Sequence, residues 1–156
     1  MKEYNLTTKM RVYRWDELTD EQREVLAIAK EQTKHSYCPY SHFHVGAAAK
    51  LANGAVIRGC NQENAAYPSG LCAERTAMFY ASAHKPDKAM LAIAIAASQN
   101  GILCPDPATP CGSCRQVMAQ YQTKGGRPME VILVGGNKIW KFSRVDDILP
   151  LIFDSL

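Results

Sequence analysis

Two short segments carry residue types that can hold and use a metal ion: Cys72-Ala73-Glu74 and Pro110-Cys111-Gly112-Ser113-Cys114. Cys111 and Cys114 are three apart, so both sulfurs fall on one face of a first helical turn. Taken alone, a Cys-x-x-Cys serves a redox pair or half of a structural zinc site as readily as a catalytic centre. A further cysteine, followed two positions later by Glu at a second expected helix start, favours catalytic zinc. Three thiolates leave one tetrahedral corner open, and an open corner belongs to catalysis, whereas four protein ligands belong to structure. His42, His44 and His84 stand at no ligand-like spacing. Cys72 and Glu74 do not share a helix face. An ion held by Cys72 therefore lies off the helix end, with Glu74 leaning over it.

Water in the open corner is acidified toward a pKa of roughly 7 in zinc enzymes. Three thiolates donate more charge than three imidazoles, so a positive group should offset them. The two helix N-termini are one source. Arg75 is the other, and it is expected to hydrogen-bond to the cysteine sulfurs. Glu74 is the expected general base, taking a proton from the water and passing it to the substrate.

These segments need elements to carry them. Thr19 and Gln22 are spaced as a capping box, and Val25, Leu26, Ile28 and Ala29 follow as an apolar stripe, so a helix opens at Thr19 and stops before Pro39. Residues 43–51 read as a strand, Asn53-Gly54 as a two-residue hairpin turn and residues 55–60 as the returning strand. Helices are predicted over 71–83 and 111–121. Residues 90–97 and 130–134 are apolar runs suited to buried strands. Residues 100–110 read as a loop, 138–142 as a short edge strand and 145–153 as a C-terminal helix. Strands alternating with helices imply an α/β layer fold with a mixed sheet. Residues 1–17 read as a weakly anchored extended arm, and residues 18–156 as a single catalytic domain.

The 156 residues are 47 % apolar and 21 % charged, with a net charge of +3 and no run of five or more Lys or Arg. That balance speaks against nucleic-acid and membrane surfaces. No stretch of signal-peptide type opens the chain and no apolar run reaches membrane-spanning length, so a cytosolic, reducing location is expected. There the six cysteines read as metal-binding or packed side chains rather than disulfides; Cys38, Cys60 and Cys104 are expected to pack as small side chains.

At four blocks the sequence resembles the cytidine deaminase family in its small homotetrameric form. These are residues 39–48 (PYSHFHVGAA), residues 59–67 (GCNQENAAY), Cys72-Ala73-Glu74-Arg75-Thr76-Ala77, and residues 110–116 (PCGSCRQ). The resemblance runs from about Leu18 to Phe153. It implies a three-layer α/β/α fold with a central five-stranded mixed sheet and one zinc ion per chain on Cys72, Cys111 and Cys114. It also implies hydrolysis of cytidine and 2′-deoxycytidine to the uridines with release of ammonia. On that basis Glu74 would protonate the ring nitrogen and the leaving amine, and Asn61 and Glu63 would bind the ribose hydroxyls. Phe43 would pack on the pyrimidine and the Ala73 amide would bind the base carbonyl. Ala66 falls among the substrate-binding residues, and Tyr67 and Phe153 would reach a neighbouring subunit's site. Cys38 stands where Ser is usual. Deaminases of nucleotides, of cytosine-containing antibiotics or of polynucleotides are the competing substrate classes; the absence of a basic stripe weighs against the last.

Overall fold

The computed structural model describes residues 1–154. Helix α1 spans Asp20–Gln32. Its capping box forms: Thr19 Oγ1 accepts from Gln22 N at 3.2 Å, and Gln22 Oε1 accepts from Thr19 N at 3.1 Å. After it come β2 (His44–Leu51), β3 (Val56–Cys60), α2 (Ala73–His84), β4 (Met90–Gln99) and β5 (Ile102–Leu103). The chain continues through α3 (Gly112–Gly125), β6 (Glu130–Val134) and β7 (Ile139–Phe142), and β1 (Arg11–Tyr13) precedes α1. No helix among the described residues is long and apolar enough to cross a membrane.

One mixed sheet forms the middle layer, in the order β1-β7-β6-β4-β2-β3 with β5 on β4. The pair β4–β6 is parallel and the others are antiparallel. Val25, Leu26 and Ala29 of α1 pack on one face with Ala48, Ala94, Ala96 and Ile132. Met78, Ala81, Met118 and Ala119 of α2 and α3 pack on the other with Ile93, Ile95, Val131 and Leu133. The three-layer expectation and its five strands are present, but the sheet has seven strands, not five. The two additions are short. Three residues of the N-terminal arm pair with β7, and two residues of the expected 100–110 loop fold back on β4.

Turn chemistry explains the second addition. Asn100 and Gly101 both take positive φ, 51° and 75°, as a two-residue type I′ hairpin requires. The first Asn-Gly behaves differently. At Asn53-Gly54 only Gly54 has positive φ (84°), and Gly54 N bonds Leu51 O while Leu51 N bonds Ala55 O. The connection is a three-residue loop, not the two-residue turn expected there. The predicted C-terminal helix over 145–153 is also corrected: only Val145–Asp147 makes a 3-10 turn. Pro150 disfavours helical backbone at Leu149 and brings no N–H.

Two glycines set the distance of the helices from the sheet. A Cβ on Gly46 would lie 2.1 Å from Ala29 O of α1, and one on Gly59 would lie 2.5 Å from Ala73 O and 2.6 Å from Ala77 N of α2. The first turn of α2 therefore rests directly on β3. Replacing Gly59 by Ala is expected to cost about 1–3 kcal/mol in urea unfolding through overpacking. Gly112→Ala, which meets nothing within 4 Å, should stay within about 0.5 kcal/mol of the parent.

Candidate active site

Two helix starts meet on one face of the sheet. Cys72 is the N-cap of α2 and Cys111 the N-cap of α3, both with extended backbone and without a side-chain cap. Cys114 completes the first turn of α3 and is buried. The three sulfurs lie within 4.8 Å of one another, with Cys72 Sγ and Cys111 Sγ 3.9 Å apart. Thiolates on tetrahedral zinc at about 2.3 Å would stand roughly 3.8 Å apart. Among the described residues, no fourth Cys, His, Asp or Glu joins the cluster. The donor set fits zinc with a corner left to a non-protein ligand, and the geometry does not suit a closed structural site.

Charge around the cluster is arranged to hold anionic sulfur. Arg75 Nη2 donates to Cys72 Sγ at 3.5 Å, and Arg75 Nε is buried without a partner in the protein. As a thiol, Cys72 is pulled down to a pKa of about 5 by the hydrogen bond from Cys114, by Arg75 and by Cys111. Cys114 moves the other way, because it donates to Cys72, lies buried and feels the Glu74 charge. Cys72 therefore ionises before Cys114. Glu74, in the first turn of α2, is only 4 % exposed. Burial raises its carboxyl to about 7, and the Cys72 charge adds to the effect.

Beside the cluster opens a groove of about 510 Å³ lined by Tyr40, Asn61, Glu63, Tyr67, Cys72 and Arg75, among others. It joins the Cys72 segment to the two polar residues singled out in sequence. Glu63 accepts from the amides of Tyr40 (2.9 Å) and Ser41 (3.2 Å) and from the Ser41 hydroxyl. Those bonds, the hydroxyl first, hold its carboxyl below the ordinary glutamate range. Asn61 Nδ2 donates to Phe43 O at 2.9 Å, and Asn61 Oδ1 accepts from Val45 N at 2.8 Å. Tyr67 stands edge-on to Tyr40, ring centres 6.0 Å apart.

The remaining expected residues do not line this groove. Phe43 is half-buried just before β2, Ala66 is exposed, and Ala73 is buried under β3. Phe153 is exposed, and its backbone exchanges two hydrogen bonds with the Gln116 side chain (2.7 and 3.2 Å). Sequence reasoning missed Tyr40 and Ser41 as the groups that orient Glu63, although Ser41 sits in the quoted 39–48 block. It also missed Arg115, whose Nε bonds Pro110 O at 2.9 Å and whose Nη1 bonds Ile148 O at 3.0 Å, bracing the approach to Cys111. An Arg directly after the second cysteine of the Cys-x-x-Cys was the available signal.

A family model described as the cytidine and deoxycytidylate deaminase zinc-binding region matches residues 19–125. The chain belongs to this family. It is 38 % identical to the cytidine deaminase of Sporosarcina psychrophila over 114 residues, covering 73 % of this chain and 79 % of that protein. The cytidine deaminase of Halalkalibacterium halodurans is 48 % identical over 85 residues, 54 % and 60 % of the two chains. The crystal structure of a cytidine deaminase from Burkholderia pseudomallei superposes with a TM-score of 0.70 at 37 % identity, covering 87 % of this chain and all of that one. The matched region runs from the N-cap of α1 to the end of α3 and so contains both helix starts that bear the cysteines. Arg75→Ala should weaken zinc retention by about 10- to 100-fold, as loss of a partner to a metal ligand does. Chelator competition followed by metal analysis measures this, and retention equal to the parent's would rule the contact unimportant.

Proposed function

We propose that this chain is a zinc-dependent deaminase that hydrolyses cytidine and 2′-deoxycytidine to uridine and 2′-deoxyuridine, releasing ammonia. The observation that carries the reading is the convergence of three sulfurs and one buried carboxylate at two helix starts, beside a groove that Cys72 shares with Asn61 and Glu63. Cys72, Cys111 and Cys114 would hold the zinc. Bound there, the metal supplies Lewis acidity that lowers the pKa of water. Glu74 takes a proton from the attacking water at a carboxylate oxygen and returns it to the ring nitrogen, then serves the leaving amine. Arg75 balances the sulfur charge.

Asn61 and Glu63 meet the ribose hydroxyls, Phe43 and Ala66 flank the base, and the Ala73 amide, at the start of α2, binds the base carbonyl. Glu63 favours a nucleoside over a nucleotide. It places a carboxylate in the groove, and Arg75, the one cation among the described lining residues, is turned to sulfur. We take residues 18–156 as the catalytic domain and the cytosol as its location, a compartment that suits six free cysteines. A homotetramer would cover exposed Tyr67, Phe79, Tyr80, Leu151 and Phe153 and would let Tyr67 and Phe153 reach a neighbouring site.

Glu74→Gln is expected to keep zinc and the unfolding midpoint while losing about 100- to 10,000-fold in kcat for each proton transfer removed. Near-parental turnover would refute the acid–base role. Ammonia release compared on cytidine, deoxycytidine, deoxycytidine monophosphate and a cytosine oligonucleotide should favour the two nucleosides. A better rate on the monophosphate or the oligonucleotide would overturn the substrate assignment. Sedimentation of the active protein as a monomer would exclude completion of the site by a neighbour.

A further inference from the structure

Outside the cysteine cluster lies a group that the proposed chemistry does not use: Ser36, Cys38 and His44. His44 opens β2 between Phe43 and Val45. Alternation along the strand sends His44 to the same face as Gly46, against α1, and Val45 to the α2 face, where it packs with Ala73 and Ala77. His44 Nδ1 lies 2.7 Å from Ser36 Oγ and 3.2 Å from Cys38 Sγ.

The position of the imidazole proton follows from Ser36. Its hydroxyl is 2.9 Å from the Thr33 carbonyl oxygen, which can only accept. With the hydroxyl proton given to that carbonyl, Nδ1 becomes the donor to Ser36 Oγ, with Cys38 Sγ as a weaker second acceptor. The chain His44 to Ser36 to Thr33 thus ties the first residue of β2 to the segment that follows α1.

That tie closes a loop over residues 38–44. Within it His42 N bonds Cys38 O at 3.1 Å, and His42 takes the left-handed φ of 53°. Positive φ is uncommon outside glycine, and histidine is among the residues that adopt it more readily. The loop supplies the Tyr40 and Ser41 groups that orient Glu63, and Phe43, whose carbonyl anchors Asn61.

We propose that His44 is a positioning residue for nucleoside binding, its Nδ1–H pinning the base of the loop that carries Phe43 and orients Asn61 and Glu63. This rests on the reading of the groove as the nucleoside site. The test is cytidine kinetics on the zinc-loaded full chain. In His44→Ala, KM should rise about tenfold, the share of one lost hydrogen bond in binding, with kcat and zinc content little changed. His44→Asn, whose amide nitrogen can stand where Nδ1 stands, should restore KM; His44→Gln, whose amide reaches the Nε2 position, should not. Nitrogen-15 NMR of the parent imidazole should show the Nδ1-protonated tautomer, whatever the variants' stability. An unchanged KM in His44→Ala, equal behaviour of the Asn and Gln variants, or an Nε2-protonated ring would overturn the proposal. A parent with no cytidine turnover would count against the groove reading alone, and the tautomer would still decide the role of His44.

Discussion

The structure depends on one close approach: the backbone of the first turn of α2 against β3 at Gly59. No side chain separates them, so the carbonyl of Ala73 and the amide of Ala77 lie where a Cβ would otherwise be. This contact fixes how far Cys72 stands from the sheet. Its counterpart, α3, enters after the β4–β5 hairpin and lies on the same face. Sulfurs from helices far apart in sequence thus meet within 4.8 Å of one another. The electrostatics follow from that placement. Cys72 and Cys111 sit at the positive ends of two helices, and the burial that makes Glu74 a weak acid comes from the same packing.

The groove is organised on a different principle. Its polar residues are not oriented by the helices but by each other and by backbone. Asn61 spends its amide on Phe43 and Val45, and Glu63 gathers two amides and a hydroxyl from residues 40–41. Both are pre-oriented before any ligand enters, which lowers the entropy lost on binding.

Much of this was legible in sequence because it obeys local rules. The capping box at Thr19, the 3-residue cysteine spacing and the buried runs of β4 and β6 follow from periodicity and caps. What was not legible came from positions where two local signals compete or where distant segments decide. Asn-Gly occurs twice, at 53–54 and 100–101, yet only the second forms the two-residue turn. At the first, the hairpin closes through the Leu51–Ala55 pair and leaves three residues to connect, so one positive φ is enough. The C-terminal segment has helical composition, but Pro150 and the side chains of Arg115 and Gln116, which capture its backbone, hold it irregular. The seventh strand depends on β7 offering a free edge to residues 11–13, which no pattern within the arm could reveal.

The cysteine constellation has a mechanical meaning beyond its chemistry. Cys72 and Cys111 are 39 positions apart, and the segment between them contains all of α2 and β4. An ion gripping both ends acts as a non-covalent staple across that loop. The loop-closure relation used for disulfides gives roughly 4 kcal/mol for a ring of this size. Occupancy of the site and integrity of the fold are then coupled equilibria. The molecule's resistance to heat should rise and fall with the availability of free zinc in its surroundings.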